Sequence, residues 1–330
     1  MKQPMHLMHK LVPGVVTTLC FLSGLGLAAE KASPKSVVTN VPAQAVMLPV
    51  VTTNQDGCTV VKFTVASACM KREIQAAVML PPEYQKNPGK RFPVIYALHG
   101  MNAPWESWQA MPKLSQELVK YPMIVVSFNG DEASWYLDAP QKSGSQFTMF
   151  FFKELISYVD SHYRTIADGK GRAITGFSMG GFGAFHYLLE QPGAFASISS
   201  LSGAFHPSAE WKLTPLLGMQ AEYPEAYRVV DLRARINAAQ EKGAILPPFY
   251  LHCGTGDDGL AENRDLRDFL KSKNLSCEYV ESDGGHNWAF WKEACVGVLD
   301  FHWKYFKTEA GEESFSSRLR PDGLDARRSP

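Results

Sequence analysis

The sequence predicts an α/β fold with a mainly parallel sheet, helices on both faces and one antiparallel edge, and three observations lead there. Strand-like and helix-like stretches alternate from about residue 59 to residue 306, the rhythm of parallel strands joined by crossover helices. Several strand-like stretches are continuous apolar runs, as strands covered on both faces require. A glycine-flanked serine, Gly176-Phe-Ser-Met-Gly180, falls where one such run meets a helical pattern.

In chain order, strands are expected at 59–66 and 73–80, the second stopped by Pro81-Pro82, since proline cannot donate to a ladder. This pair reads as hairpin-like and supplies the antiparallel edge. Further strands are expected at 93–98, 123–128, 172–175, 196–201, 248–252 and 278–281. Between them, 108–119, 147–163, 181–190, 260–273 and 288–306 place apolar residues at i, i+3 and i+4, as Phe151, Leu155, Tyr158 and Val159 illustrate. Residues 206–246 break the rhythm. Trp211, Leu213, Leu216, Leu217, Met219, Tyr223 and Tyr227 make that stretch too apolar for a solvated loop, so it reads as a small cap over the strand ends. One catalytic domain, 57–306, holds all of this, and no internal repeat is present.

The ends read differently. Lys2, His6, His9 and Lys10 precede the apolar run 11–27, which closes on small residues including Gly26 and Ala28. That is the layout of a cleaved secretory signal over 1–28, and it predicts a secreted or periplasmic protein with no stable membrane insertion after cleavage. Pro13 and Gly14 interrupt the run and argue against a retained anchor, and Thr17-Thr-Leu19 before Cys20 lacks the small residue of a lipidation site. Residues 29–56, rich in Ser, Thr, Pro, Asn and Ala, read as a linker, and the polar stretch 307–330 as a disordered tail.

Lysines and arginines number 33 and acids 33, so no broad field favours nucleic acid or an anionic membrane. A small or neutral substrate fits better. Beyond the signal lie Cys58, Cys69, Cys253, Cys277 and Cys295, an odd number for an oxidising compartment. Cys58 and Cys69 flank a strand and could bridge if the chain folds back there; Cys253 and Cys277 fall at opposite ends of neighbouring parallel strands, which argues against bridging them. At least one thiol is expected to stay free. No metal-site spacing and no phosphate loop occur, so no metal or other cofactor is implied.

The chemistry centres on Ser178. A strand-to-helix turn this tight has no room for side chains two residues either side of the serine, hence Gly176 and Gly180. The hydroxyl then stands clear of the sheet at a helix N-terminus, which favours developing negative charge. On such a fold the acid and then the base follow the nucleophile. His286, in Ser282-Asp-Gly-Gly-His-Asn-Trp288 after the last strand, is the expected base; His162, His186 and His302 fall in helices, His252 in a strand and His206 in the cap. Asp257 or Asp258, in Cys253-Gly-Thr-Gly-Asp-Asp-Gly259, is the expected acid. Adjacent side chains cannot both reach the imidazole, so Asp257 is preferred, with Asp258 left to cap the following helix. Asp283 is the alternative orienting group. The oxyanion donors are expected to be the backbone N–H groups of Met179 and Met101, with Gly100 turning the loop and His99 supporting it. Trp105, Trp108, Trp135, Tyr136, Trp288 and Trp291 lie in loops near the strand ends, and Trp105, Trp135 and Trp288 are the expected substrate platform for a sugar or aromatic ring.

An ordered set of stretches resembles the α/β-hydrolase esterases typified by tributyrin esterase, S-formylglutathione hydrolase (esterase D), feruloyl esterases and mycolyltransferases: Leu80-Pro-Pro-Glu-Tyr84, Tyr96-Ala-Leu-His-Gly100, Gly176-Phe-Ser-Met-Gly-Gly181, Leu201-Ser-Gly203, Cys253-Gly-Thr-Gly-Asp257 and Gly285-His-Asn-Trp288 with Trp291. The resemblance implies a triad of Ser178, Asp257 and His286 with Met101 and Met179 as oxyanion donors. The expected function is hydrolysis of short-chain or aryl carboxylic esters, small or linked to a polysaccharide, through an acyl-enzyme. Acyl transfer to a sugar hydroxyl is the close rival, and a catalytically silent secreted binding module the reading from another class.

Overall fold

A computed structural model describes residues 49–206 and 210–306. The expected signal, most of the expected linker and the expected tail lie outside them. In chain order the elements are β1 (Val50–Thr53), β2 (Thr59–Ser67), β3 (Arg72–Leu80), α1 (Pro82–Lys86), β4 (Val94–Leu98), α2 (Pro112–Lys120), β5 (Ile124–Phe128), α3 (Phe147–Met149), α4 (Ile156–His162), β6 (Arg172–Phe177), α5 (Met179–Glu190), β7 (Ser197–Leu201), α6 (Glu210–Leu217), α7 (Leu232–Glu241), β8 (Phe249–Gly254), α8 (Leu260–Ser272), β9 (Cys277–Ser282) and α9 (Trp288–Tyr305).

The strands form one nine-stranded sheet in the order β1-β2-β3-β5-β4-β6-β7-β8-β9. β1, β2 and β3 run antiparallel, β3 also meets β5 antiparallel, and every pair from β5 to β9 is parallel. The expected antiparallel edge is therefore present, one strand wider than expected: β1 forms inside the stretch read as linker. Its Val50-Val-Thr-Thr53 is exposed along its whole length on the outer edge, so the strand rests on ladder bonds to β2 rather than on burial, and no apolar periodicity announces it.

Alternation along the central strands feeds two cores. Val94, Tyr96 and Leu98 of β4 join a layer with Phe128, Phe151, Phe182 and Leu266, while Ile95 and Ala97 join one with Trp108, Leu114, Phe177 and Leu299. The first layer lies under α5 and α8, the second under α2 and α9, so both sheet faces are covered. In β7 the serines take part: Ser197 and Ser199 hydrogen-bond the two ring nitrogens of buried His302 from α9, at 2.7 and 2.8 Å. Burial pushes that imidazole down to about 3, so it sits neutral in the core.

Two helices differ from expectation, and the cap has helices of its own. The stretch 108–119 becomes helical only at Pro112, which occupies the first turn of α2; Trp108 instead donates its indole N–H to the Leu98 carbonyl at 3.0 Å. The stretch 147–163 is continuous but carries a π-helical segment, Phe150–Leu155, between α3 and α4, and there Glu154 accepts hydrogen bonds from the amides of Ala68 and Cys69. The region 206–246 contains α6, a 3₁₀ segment Pro224–Val230 and α7. Arg235 of α7 reaches α5, meeting His186 Nδ1 at 2.9 Å and Glu190 at 2.7 Å.

The five described cysteines are all unpaired. Cys58 and Cys69 flank opposite ends of the nine-residue β2, so an extended strand separates them and the chain does not fold back to bridge the pair. Cys253 stands opposite Glu281 and Cys277 opposite Phe249, the opposite-end placement expected of them. Among the described residues no helix is long and apolar enough to cross a membrane.

Candidate active site

The turn between β6 and α5 is built by close backbone approach. A Cβ on Gly176 would fall 2.1 Å from the Gly180 carbonyl oxygen, and one on Gly180 would fall 2.3 Å from that of Leu98; neither position admits a side chain. Ser178 between them adopts φ 55°, ψ −121°, a left-handed backbone that non-glycine residues adopt only under constraint. Two bonds to the end of β7 supply constraint: Ser178 N–H donates to Leu201 O at 3.0 Å, and Ala204 N–H donates to Ser178 O at 3.1 Å.

Asp257 follows β8 in a tight turn, with its side chain fully buried. The loop after β9 runs alongside: Thr255 N–H donates to Ser282 O and Gly256 N–H to Gly284 O, at 2.9 and 2.8 Å. Gly284, at φ 139°, lets that loop turn back toward the sheet. His286 thereby lies between the other two side chains. Its Nδ1 is 3.1 Å from both Asp257 carboxylate oxygens, and its Nε2 is 2.8 Å from Ser178 Oγ. A carboxylate only accepts, so the tautomer with Nδ1–H donating to Asp257 leaves Nε2 to accept from the serine hydroxyl. Burial raises the Asp257 pKa, but the hydrogen bonds from His286 and Gly259 N–H, with the Ser202 hydroxyl close by, outweigh it and hold the carboxyl below the usual range. Of those donors Gly259 N–H is at 2.8 Å; the Ser202 hydroxyl lies beside the carboxylate without a well-formed bond of its own.

Asp258, expected to cap the next helix, does not: the cap of α8 is Gly259 and no side chain serves it. Asp257 itself bends to bond Gly259 N–H, and Asp258 is left exposed. Asp283 is likewise exposed and takes no part in holding His286.

The loop after β4 passes directly over the serine. A Cβ on Gly100 would lie 3.1 Å from Ser178 Cβ and 2.9 Å from the Phe177 ring. His99, buried and held neutral by burial, donates from Nδ1 to Gly100 O at 2.8 Å and accepts from Gly130 N–H at 2.9 Å, while Tyr136 donates to His99 O at 2.9 Å. These bonds stiffen the turn from which the Met101 amide issues. The Met179 amide is the first of α5 and has no acceptor one turn back. Among the described residues neither amide donates within the chain.

The three tryptophans expected to form a platform separate. Trp288, half-buried at the start of α9, and Trp105, half-buried with Lys62 Nζ 5.9 Å from its ring, retain exposed surface. Trp135 is 2% exposed and packs edge-on against Phe182, so it offers no face to a ligand. Left-handed backbone at both Trp135 and Tyr136, φ 53° and 59°, turns that indole inward. Trp108 and Tyr136 are also core residues. A cavity of about 690 Å³ opens beside Met101, bordered by Asn129, Glu132 and Leu216; a larger one of about 870 Å³ beneath the cap, bordered by Phe205, Tyr227 and Leu266, touches none of Ser178, Asp257 and His286.

Sequence reasoning passed over Asn263, fully buried on α8, whose amide donates to Gly203 O and Gly259 O at 2.9 and 2.8 Å. It braces the turn holding Asp257 against the loop behind Ser178. A polar residue inside an amphipathic helix carries no signal of such a role.

Comparison with known proteins points to one family. The family model "Esterase: Putative esterase" matches residues 67–301. An acetyl esterase of Caldicellulosiruptor saccharolyticus is 28% identical over 260 residues, covering 71% of this chain and 94% of the relative. Among solved structures, a ferulic acid esterase superposes with a TM-score of 0.62 at 25% identity, covering 76% of this chain and 99% of that one. An S-formylglutathione hydrolase of Agrobacterium tumefaciens gives 0.67 at 23% identity, covering 78% and 99%. The chain therefore belongs to the esterase family, with the α/β-hydrolase fold, and is a carboxylic ester hydrolase.

Proposed function

We propose that this esterase cleaves short-chain or aryl carboxylic esters through an acyl-enzyme on Ser178, with alcohols that include carbohydrate hydroxyls. The observation that carries the reading is the continuous line Ser178 Oγ, His286 Nε2, His286 Nδ1, Asp257 carboxylate, at 2.8 and 3.1 Å. His286 takes the hydroxyl proton as Ser178 attacks the ester carbonyl, and Asp257 stabilises the resulting imidazolium. The Met101 and Met179 amides receive the developing oxyanion. The same imidazolium returns its proton to the leaving alcohol, and water then repeats the sequence to release the acid.

The relatives' names, acetyl esterase and ferulic acid esterase, support small and aromatic acyl groups. The exposed parts of Trp105 and Trp288 are suited to a sugar or aromatic ring. The His286 side chain is 37% exposed, which leaves the acyl-enzyme open to water and favours hydrolysis over transfer. Export to the periplasm or medium is proposed from the pattern of residues 1–28 and is checked by the N-terminal mass of protein recovered outside the cytoplasm. For the activity, Ser178→Ala is expected to abolish turnover of p-nitrophenyl acetate and butyrate, methyl ferulate and acetylated xylan while the far-UV spectrum is kept. Unchanged turnover would overturn the reading.

A further inference from the structure

The base sits on the least supported segment of the site. Residues 282–287 are exposed or half-buried throughout and include Gly284 and Gly285; backbone bonds seat the loop at Ser282 and Gly284, but its own side chains pack little against the His286 ring. The hydrogen bonds of His286, Nδ1 to both Asp257 carboxylate oxygens and Nε2 to Ser178 Oγ, all leave from the two ring nitrogens, and two ring atoms define a line, not a plane. An imidazole held only by them can swing about that line, moving the Nε2 lone pair off the serine hydroxyl. A lateral wall is needed.

Trp291, one turn into α9, supplies it. Its indole stands perpendicular to the His286 ring, at 87° with centroids 5.1 Å apart. Behind, it stacks on Phe177 at 4.5 Å and 24°. Phe177 is fully buried, wedged by Trp108 and Trp288 at 5.8 and 5.9 Å, and its ring edge lies against Gly100. Trp291 Nε1 is buried without a hydrogen-bond partner, so packing rather than hydrogen bonding sets the plane of the indole. We infer that Trp291 is a positioning residue for the esterase reaction: backed by Phe177, it fixes the plane of the His286 imidazole and so aims Nε2 at Ser178. The variable residue of Gly176-Phe-Ser-Met-Gly180 thereby ties the serine turn and the Gly100 loop to the base.

The inference rests on the triad reading, and Ser178→Ala separates the two. If S178A still turns over substrate, the triad reading fails; if S178A is inactive but Trp291 variants are not, only this inference fails. Trp291→Phe keeps a stacked ring and is expected to hold kcat for p-nitrophenyl butyrate within about threefold, whereas Trp291→Leu misaims the base and lowers kcat at least ~10-fold. KM is expected to change less than about twofold, because Trp105 and Trp288, the exposed tryptophans suited to the substrate, are kept. The downfield proton NMR signal of the His286–Asp257 bond should weaken in W291L and persist in W291F, a readout that loss of packing elsewhere would not move. Wild-type kcat in W291L, a loss confined to KM, or equal losses in W291F and W291L would each overturn the inference. Should W291L not fold, Trp291→Met is judged by the same criteria.

Discussion

The turn carrying Ser178 and the loop carrying His286 face each other across 2.8 Å but are held by opposite means. The first is backbone against backbone: Gly176, Gly180 and Leu98 O leave no space for a β-carbon, and everything around the serine except its hydroxyl side is buried. The second is exposed and rich in glycine; backbone bonds from Thr255 and Gly256 seat its start, but the His286 ring it carries is held by side chains that come from elsewhere, Asp257 and Trp291. The nucleophile is thus placed by steric exclusion and the base by attraction. Damage to one should appear as lost folding, damage to the other as lost turnover in a folded protein.

The largest expected effect tests the second half of that contrast. Asp257→Asn presents an amide where Nδ1–H needs an acceptor and favours the wrong tautomer, so kcat is expected to fall ~10⁴-fold, about 5 kcal/mol, with little change in the thermal midpoint. A midpoint drop of comparable size would mean the loop depends on Asp257 for its fold and would break the comparison. The first half predicts the reverse for Gly180→Ala: a loss of about 3 kcal/mol in stability from overpacking against a backbone oxygen, measured by urea unfolding.

A third effect is set by pH and concerns the sheet beneath both regions. His302 titrates near 6.5 when unfolded and at about 3 when folded, so the unfolded state binds the extra proton and stability is lost as pH falls through that interval. The slope is about 1.4 kcal/mol per pH unit, or about 2 kcal/mol by pH 5. His302→Gln should flatten the fall of the unfolding midpoint between pH 6.5 and 4; an unchanged slope would show that His302 does not carry it. Smallest is Asp258→Ala. Exposed and uninvolved in capping, it should shift stability by less than about 0.5 kcal/mol and leave kcat within twofold, sharpening the contrast with its neighbour Asp257.

The same contrast explains what was legible in the sequence. The central strands β4 to β8 lie within two residues of their expected positions, because burial on both faces writes itself as apolar runs. Gly176 to Gly180 announced a turn because steric exclusion writes itself as glycine. Asp257 and His286 were found from order and loop position, and the structure brings both to Ser178. The inward turn of Trp135 was not legible, since left-handed backbone at two bulky residues has no compositional mark. Nor was β1, whose exposed residues owe their conformation to a neighbour. Asn263 escaped for a related reason: its partners are carbonyls, and every residue has one.

The unpaired cysteines carry a practical consequence for chemical labelling. Burial pushes the thiols of Cys58, Cys253 and Cys295 up to about 12 and that of Cys277 to about 11, and it also raises Cys69. At neutral pH almost no thiolate is present to compete for an electrophile. A fluorophosphonate added to this chain therefore meets little competition from the described thiols, and its labelling reports on the Ser178 hydroxyl that His286 activates.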